Sequence, residues 1–197
     1  AGLIERKYLE RRAAEINPRE MSAVESVKPG LENPDTTHFS IVDAEGNAVA
    51  VTYTLNWEFG SGVVVEGAGF LLNDQMDDFS AKPGVPNKFG VIGADMNAIA
   101  PGKRMLSSMS PTLLMRDGRV AAVVGTRGGS TIFTSIFQVL LNLTDHGMTA
   151  EQAVAVTRFH HQLPQHDLIR HDKKRSVDPQ LIATLGDYGY RVEPNSW

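Results

Sequence analysis

The sequence predicts a mixed α+β domain or a layered sandwich, in which strand hairpins come before helices. Two strand–turn–strand patterns lie at 36–56 and 110–125, and glycine and proline interrupt the stretch between them repeatedly. A broad apolar pattern with helical spacing follows at 130–146, and shorter helical patterns come after it. Hairpins followed by helices typically form sheets and helices in separate layers.

Composition indicates a globular chain and excludes several functional classes. The 197 residues are 42% hydrophobic and 21% charged, which suffices for a core. Nineteen basic and 23 acidic residues give a net charge of −4, so no overall basic surface favours nucleic acid or an anionic membrane. The absence of cysteine excludes a disulfide scaffold, a zinc–cysteine site and a cysteine nucleophile. No apolar run reaches the roughly 18 residues of a membrane span.

The first part of the chain predicts a helix, a linker and a hairpin. Residues 2–16 place apolar side chains near helical spacing, and Pro18 ends the helix because the residue before proline avoids helical backbone. Residues 18–35 have turn signals and no periodicity, as in a linker. The segment 37–42 and the Val- and Thr-rich segment 48–55 are strand candidates, and the turn between them predicts a hairpin.

The middle of the chain predicts loops and a second hairpin. Residues 57–104 contain too many glycines and prolines for long helices, so loops and short strands are expected there. The segments 111–115 and 120–124 flank a polar turn that contains Gly118, which predicts two paired strands.

The last part of the chain predicts three helices and a strand. Residues 130–146 carry a broad apolar face, and the Ser130 hydroxyl is expected to cap the helix start. A shorter helix is expected after Thr149. Another is predicted to open at Asp178 and to end near residue 187, and 190–192 is a strand candidate.

The segment Thr36-Thr37-His38 follows the predicted linker and begins a strand. A threonine hydroxyl is a weak nucleophile unless a base lies beside it, and one such base is the residue's own α-amino group, freed by cleavage of the chain. A free α-amine has a pKa of about 7.7–8.0, which suits proton transfer near neutral pH. Taken alone, the segment also fits an ordinary strand with threonines.

The pair Gly128-Gly129 lies between a predicted strand and the longest predicted helix. Two glycines leave their backbone N–H groups accessible at a helix N-terminus, where the dipole favours negative charge. Such donors can stabilise the oxyanion of an acyl-transfer reaction. The alternative is a tight turn that needs only the backbone freedom of glycine.

Three polar segments offer further chemistry. The acidic segment 73–79 could hold an ammonium group, and its spacing does not match an EF-hand loop. Ser107 and Ser108 could hold a carboxylate, although both segments also fit solvated loops. Adjacent His160 and His161 point in different directions on a strand or a helix, so structural histidines are favoured, and neither a metal site nor a cofactor is predicted.

Taken in order, these segments resemble the gamma-glutamyltranspeptidase family. The resemblance is strong over residues 36–162 and weaker to 197 and over 1–30, where 8–14 is similar to the end of the family's large subunit. The matching segments are TTHFSIVD at 36–43, GNAVAVTYTLN at 46–56, NDQMDDFS at 73–80, KPGVPN at 82–87, PGKRMLSSMSPT at 101–112, GGS at 128–130 and RFHHQ at 158–162.

The resemblance implies an N-terminal nucleophile hydrolase with a four-layer α/β/β/α sandwich, made from a precursor that cuts itself before a threonine. The implied cleavage site is the bond between Asp35 and Thr36. Residues 1–35 would then be the end of the large-subunit region with its linker, and 36–197 the catalytic small-subunit region. The sequence is expected to be a piece of such a precursor, without most of the large subunit and without the C-terminal tail.

The resemblance also implies roles for the residues that match the family's motifs. Thr36 would be the nucleophile and Thr54 would assist it by a hydrogen bond. The residues expected to stabilise the oxyanion are Gly128 and Gly129; those expected to hold the glutamyl α-amino end are Asn56, Gln75 and Asp78; those expected at its α-carboxylate are Ser107 and Ser108.

The activity implied is gamma-glutamyl transfer and hydrolysis through an acyl-enzyme. The expected donor is glutathione or a related amide, the acceptors are water, an amino acid or a peptide, and the protein partner is the large subunit of the same precursor. Periplasmic or secreted localisation follows from the resemblance alone. The alternatives are a related acylase, of the cephalosporin or poly-gamma-glutamate type, and a non-catalytic relative.

Two positions depart from the family's pattern. Many relatives have Ser-Pro before the glycine pair, where this chain has Thr126-Arg127. Some bacterial members carry a lid tyrosine at the position of Phe89, so a hydrogen bond from that hydroxyl is lost here. A large-subunit arginine normally grips the substrate carboxylate in this family, and no residue of this chain is assigned that role.

Overall fold

The computed structural model describes residues 36–195 together with Arg6, Lys7 and Glu10. These three early residues are helical and exposed, in agreement with the helix predicted over 2–16. The remainder of that helix, the predicted linker and Asp35 lie outside the described residues.

The first sheet is the predicted hairpin of β1 (Thr36–Val42) and β2 (Ala48–Thr54). The strands pair antiparallel, with Thr36 opposite Thr54. In the connecting turn, both the backbone N–H and the side-chain amide of Asn47 donate to the Asp43 carboxylate at 2.7 Å. Hydrogen bonds, that from the Asn47 side chain first, lower the pKa of Asp43.

The second sheet is the other predicted hairpin, formed by β3 (Thr112–Arg116) and β4 (Arg119–Val124). The register shifts between Leu114 and Met115, as at a β-bulge. No ladder joins the two hairpins into one sheet within the described residues. Their relative position therefore depends on side chains and loops.

The segment between the hairpins consists of loops, as predicted, with two 3₁₀ turns at Gln75–Asp78 and Asp95–Asn97. The short strands expected there are single bridges, such as Ser80 with Ala98 and Pro86 with Ile92. Positive-φ glycines interrupt the backbone too often for a longer ladder.

The predicted long helix is α1 (Ile132–Thr144), and its buried side includes Ile132, Ile136 and Val139. The prediction that Ser130 caps this helix is wrong. A 3₁₀ turn at Gly129–Thr131 precedes it and buries Ser130, so that Thr131 occupies the N-cap position without a side-chain capping bond. The tighter turn delays the start of the α-helix.

The two shorter predicted helices are α2 (Ala150–Ala155) and α3 (Pro179–Asp187). Thr149 and Gln152 form a reciprocal capping box at the start of α2. Asp178 caps α3 by accepting a hydrogen bond from the backbone N–H of Gln180 at 2.9 Å.

A third sheet contains β5 (Phe159–His161), β6 (Leu168–Asp172) and β7 (Arg191–Asn195). β6 pairs antiparallel with β5 and parallel with β7, and α3 lies in the connection between the parallel strands. Only β7 was predicted, as the strand at 190–192. β5 and β6 are short and rich in polar residues, so they have no alternating apolar pattern.

The described core is small and lies around α1. Ile132 and Ala153 are essentially inaccessible, and Phe89 and Leu168 are also buried. By contrast, the outward face of the β1–β2 hairpin leaves large apolar side chains exposed. These are Phe39, Ile41, Val49 and Tyr53.

Removing the cap of α2 should cost measurable stability. We expect Thr149→Ala in the full-length protein to lower the free energy of unfolding by about 1 kcal/mol, because the capping hydroxyl satisfies an otherwise free helix N–H. Denaturant titration measures this. Thr144→Ala, which removes an exposed hydroxyl at the end of α1, is the control and should cost less; an equal loss would contradict the capping role.

Candidate functional site

The predicted nucleophile and its predicted assistant lie directly opposite each other. Thr36 is the first residue of β1, and its partner across the ladder is Thr54, the last residue of β2. The side chains of opposite residues point to the same face of a hairpin. The backbone N–H of Asn56 donates to the Thr54 hydroxyl oxygen at 2.8 Å, so this oxygen has a defined orientation.

Asn56 sits just beyond β2 in a constrained position. It is 6% exposed and has a φ of 76°, in the left-handed region that asparagine tolerates better than most residues. Its side-chain amide donates to the Asp74 carbonyl oxygen at 3.4 Å, and the Asp74 N–H donates to the Leu55 carbonyl oxygen at 3.1 Å. These bonds bring the end of β2 beside the acidic segment.

The acidic segment folds into the 3₁₀ turn Gln75–Asp78. The Gln75 side-chain amide donates to the Asp78 carboxylate, and the Asn97 amide donates to the Asp78 carbonyl oxygen at 2.8 Å. Burial raises the pKa of Asp78, and repulsion from Asp77 and Asp74 adds to this, while the hydrogen bond from Gln75 opposes it. A cationic ligand beside Asp78 would compensate the buried charge.

The two predicted serines make different contacts. The Ser108 hydroxyl donates to the Gly129 carbonyl oxygen at 2.7 Å. The Ser107 hydroxyl oxygen accepts from the Met109 N–H at 3.2 Å. Ser108 therefore connects the predicted carboxylate-binding segment to the predicted oxyanion segment.

Gly128 and Gly129 are buried and have φ values of 137° and 57°. A Cβ atom on Gly128 would lie 2.6 Å from the Thr131 hydroxyl oxygen, and one on Gly129 would lie 3.2 Å from the Phe89 ring. Within residues 36–195, neither glycine N–H donates to another group. Two such N–H donors at the start of a helical segment can stabilise the negative charge that develops on an oxyanion.

A cavity of about 1040 Å³ lies beside these residues. Asp78, Ser107 and Ser108 line it. The other predicted residues are not among the lining residues; these are Thr36, Thr54, Asn56, Gln75, Gly128 and Gly129. Phe89 and Phe133 are among the residues that line the cavity. The hydrogen bond from Ser108 to Gly129 connects the cavity wall to the glycine pair.

The family model of gamma-glutamyltranspeptidase matches residues 1–197. The chain belongs to the gamma-glutamyltranspeptidase family. This confirms the family that the sequence motifs resemble.

Curated relatives of this chain are longer proteins. The chain is 61% identical over 197 residues to the glutathione hydrolase proenzyme of Pseudomonas aeruginosa, covering 100% of this chain and 35% of that protein. It is 48% identical over 195 residues to the Escherichia coli glutathione hydrolase proenzyme, covering 96% and 33%. The chain thus spans about a third of the length of these relatives.

Solved structures of the family confirm the predicted fold class. The gamma-glutamyltranspeptidase from Pseudomonas nitroreducens complexed with L-DON is similar with a TM-score of 0.76 and 61% identity, over 82% of this chain and 83% of that one. A Helicobacter pylori gamma-glutamyltranspeptidase mutant has a TM-score of 0.76 and 46% identity, over 81% and 84%. The α+β fold is therefore that of the N-terminal nucleophile hydrolases, in part.

The other residues that the sequence singled out are the adjacent pair of histidines and Arg127. His160 is 2% exposed and its ring nitrogens contact Thr134 and Gln162, whereas His161 is exposed, so the two point apart as predicted. No cluster of three or more potential metal ligands occurs among the described residues. Arg127 is exposed beside the glycine pair.

The sequence did not indicate the contacts that Phe89 makes in the candidate site. The ring of Phe89 lies against Gly129, and the Gln162 side-chain amide donates to the Phe89 carbonyl oxygen at 3.1 Å. Gln162 is 73 residues from Phe89 along the chain, so no local pattern signals the contact. No described helix is both long and apolar enough to cross a membrane.

Substituting the first glycine of the pair should impair turnover. We expect Gly128→Ala in the full-length protein to lower kcat by about 10²–10³-fold, the usual effect of losing an oxyanion donor, because the new methyl group would displace Thr131 and shift the turn. Steady-state kinetics measure this. Gly118→Ala is the control: it has a φ of 74° and open space around it, in the distant β3–β4 turn. Equal losses for both variants would contradict the assignment.

Proposed function

We propose that this chain carries the catalytic residues of a gamma-glutamyl transferase and hydrolase that cleaves its own precursor before Thr36. The observation that carries the proposal is the position of Thr36 at the first residue of β1, opposite Thr54. A strand that begins with the nucleophile allows its α-amine to serve as the base after cleavage. Relatives named glutathione hydrolase proenzyme support glutathione as a donor.

The proposed reaction begins with attack by the Thr36 hydroxyl oxygen on the γ-carbonyl carbon of the donor. The α-amine of Thr36 takes the hydroxyl proton, and the Thr54 hydroxyl orients the nucleophile. The N–H groups of Gly128 and Gly129 stabilise the oxyanion. The carbon–nitrogen bond of the donor then breaks, and the leaving amine takes the proton from the α-ammonium group.

The second step frees the enzyme from the γ-glutamyl ester on Thr36. Water or the amine of an amino acid or peptide attacks the ester carbonyl and gives a proton to the α-amine. The ester bond breaks, and the Thr36 oxygen recovers its proton. Water gives glutamate, and an amine gives a new γ-glutamyl compound.

Recognition of the glutamyl group is assigned to five residues. The half-buried Asp78 carboxylate pairs with the α-ammonium group, and the amides of Gln75 and Asn56 complete that subsite. Ser107 and Ser108 are assigned to the α-carboxylate, and the Ser108 hydroxyl would rotate away from the Gly129 carbonyl oxygen to donate to it. The raised pKa of Asp78 supports this assignment, because a desolvated carboxylate gains most from a cation.

The proposal includes a large-subunit partner from the same precursor. The apolar face of Phe39, Ile41, Val49 and Tyr53 is exposed in the described residues, and an apolar patch of this kind favours burial by another surface. Residues 1–35 are assigned to the end of the large-subunit region and its linker. Localisation in the periplasm or outside the cell is part of the proposal and rests on the family.

The test uses the full-length precursor, intact-mass measurement and a γ-glutamyl anilide. We expect two pieces divided between Asp35 and Thr36, and release of the anilide. Two pieces without release, but with hydrolysis of a cephalosporin side chain or poly-gamma-glutamate, would favour the acylase alternative. An uncut and inactive precursor would indicate a non-catalytic relative and overturn the proposal.

A further inference from the structure

The proposed reaction needs two separate sheets to be held at one distance. Thr36 begins β1 in the first hairpin, whereas the segment that leads to Gly128 and Gly129 leaves β4 in the second hairpin. The structure describes no backbone ladder between these hairpins. Side chains and loops therefore set the distance between the nucleophile and the glycine N–H groups.

The side chain of His38 lies at this junction. It is two residues after Thr36 on the same strand, so both side chains point to the same face. The His38 Nδ1 atom lies 2.7 Å from the Thr52 hydroxyl oxygen and the Nε2 atom lies 3.0 Å from the Ser40 hydroxyl oxygen. Burial lowers the pKa of His38, which favours the neutral ring.

The hydrogen-bond directions follow from Ser40. Its hydroxyl donates to the Val123 carbonyl oxygen in β4, at a long 3.5 Å, so its oxygen accepts from the Nε2–H of His38. In the neutral ring, Nδ1 then accepts from the Thr52 hydroxyl. These hydrogen bonds form one chain from β2 to β4. Thr52 donates to His38, His38 donates to Ser40, and Ser40 donates to the Val123 carbonyl oxygen.

The His38 ring also touches the start of the segment that carries the glycine pair. A Cβ atom on Gly125 would overlap the ring, because three ring atoms lie within 2.4 Å of its position. Gly125 directly follows β4 and comes three residues before Gly128. Its backbone is outside the left-handed region, so the close contact rather than an unusual φ requires glycine here.

We propose that His38 is a positioning residue, which holds the segment 125–129 so that the N–H groups of Gly128 and Gly129 face the carbonyl attacked by Thr36. The proposal rests on the proposed function. His38 touches neither the substrate nor the reacting atoms; it acts through Gly125 and through the bond from Ser40 to β4. A shift of about 1 Å in such a segment can cost about 10²-fold in rate.

The test compares variants of the full-length protein that have been chased to complete self-cleavage, with kcat calculated per cleaved molecule. We expect His38→Ala to lower kcat for a γ-glutamyl anilide by about 10–100-fold, with KM within about threefold of the wild-type value. His38→Gln, whose amide can still reach Ser40, should recover part of the loss. The exposed His146→Ala is the matched control and should leave both constants unchanged.

Gly125→Ala tests the same contact from the other side and leaves His38 in place. It should lower kcat selectively, because the new methyl group pushes against the ring. In the His38→Ala background that group meets empty space, so the same substitution should cost at least fivefold less than it does alone.

Three results would overturn the inference: wild-type kcat in both single variants, equal changes in kcat and KM, or independent effects in the double variant. These outcomes leave the proposed function intact, since the wild-type protein would still cleave itself and turn over. Failure of the wild-type protein to release the anilide would instead count against the proposed function itself.

Discussion

Replacing Thr36 with alanine in the full-length precursor should abolish both self-cleavage and release of a γ-glutamyl anilide. The hydroxyl is the proposed nucleophile in each reaction, and no other group is assigned to take its place. Intact mass measures the cleavage, and anilide absorbance measures the turnover. The precursor should remain a single piece, with activity at the background rate.

Two neighbouring substitutions serve as controls for Thr36→Ala. Thr36→Ser keeps a hydroxyl at the same atom and should retain part of both activities. Thr37→Ala removes the next hydroxyl, which lies on the opposite face of β1 opposite Tyr53, and should leave turnover near that of the wild-type protein. A Thr36→Ala protein that still releases the anilide would overturn the assignment of the nucleophile.

Replacing Asp78 with alanine should raise KM by about 30-fold for donors with a free α-amino group. Removing one partner of a buried charge pair typically costs about 2–5 kcal/mol, and because Asp78 is only half-buried and solvent screens its charge, we expect the lower end of that range, about 2 kcal/mol. The measurement compares a γ-glutamyl anilide with the corresponding glutaryl anilide, which lacks the α-amine. The glutaryl compound should be affected far less.

The Asp78 carboxyl group should also make KM depend on pH. Only the ionised Asp78 attracts an ammonium group, and its raised pKa means that protonation begins at a higher pH than for an ordinary aspartate. KM should therefore rise as the pH falls through that pKa, and Asp78→Asn should remove this rise.

Asp95→Ala, in the 3₁₀ turn Asp95–Asn97, is the control for Asp78. It should leave both KM and its pH dependence unchanged. Equal loss of affinity for the glutamyl and glutaryl anilides in Asp78→Ala would refute the ammonium-binding role.

The elements that follow local patterns could be predicted from the sequence. Both hairpins and α1 have side-chain periods and turn residues that act within about 20 residues, so their partners lie nearby in the chain. The pairing of β5 and β6 was missed, because β5 has only three residues and β6 is rich in polar residues, so neither strand shows an alternating apolar period. The cap at Ser130 was wrong, because the preceding 3₁₀ turn depends on how Gly128 and Gly129 pack.

The candidate site, like the fold, could be predicted from the sequence only in part. The motifs indicated candidate residues such as Thr36, Gly128 and Asp78, and the resemblance to the family predicted what each of them does. The motifs did not indicate that Ser108 bonds to Gly129 or that His38 lies against Gly125. These contacts join segments separated by roughly 20 and 90 positions along the chain.

By itself, the sequence determined the local elements, the order of the motifs and the family to which they belong, because propensity, turn chemistry and residue identity are properties of short segments. Only the tertiary structure decided how the two hairpins meet, which side chains line the cavity, and where burial raises the pKa of Asp78. Contact and desolvation depend on atoms brought together from distant parts of the chain, and no single segment specifies them.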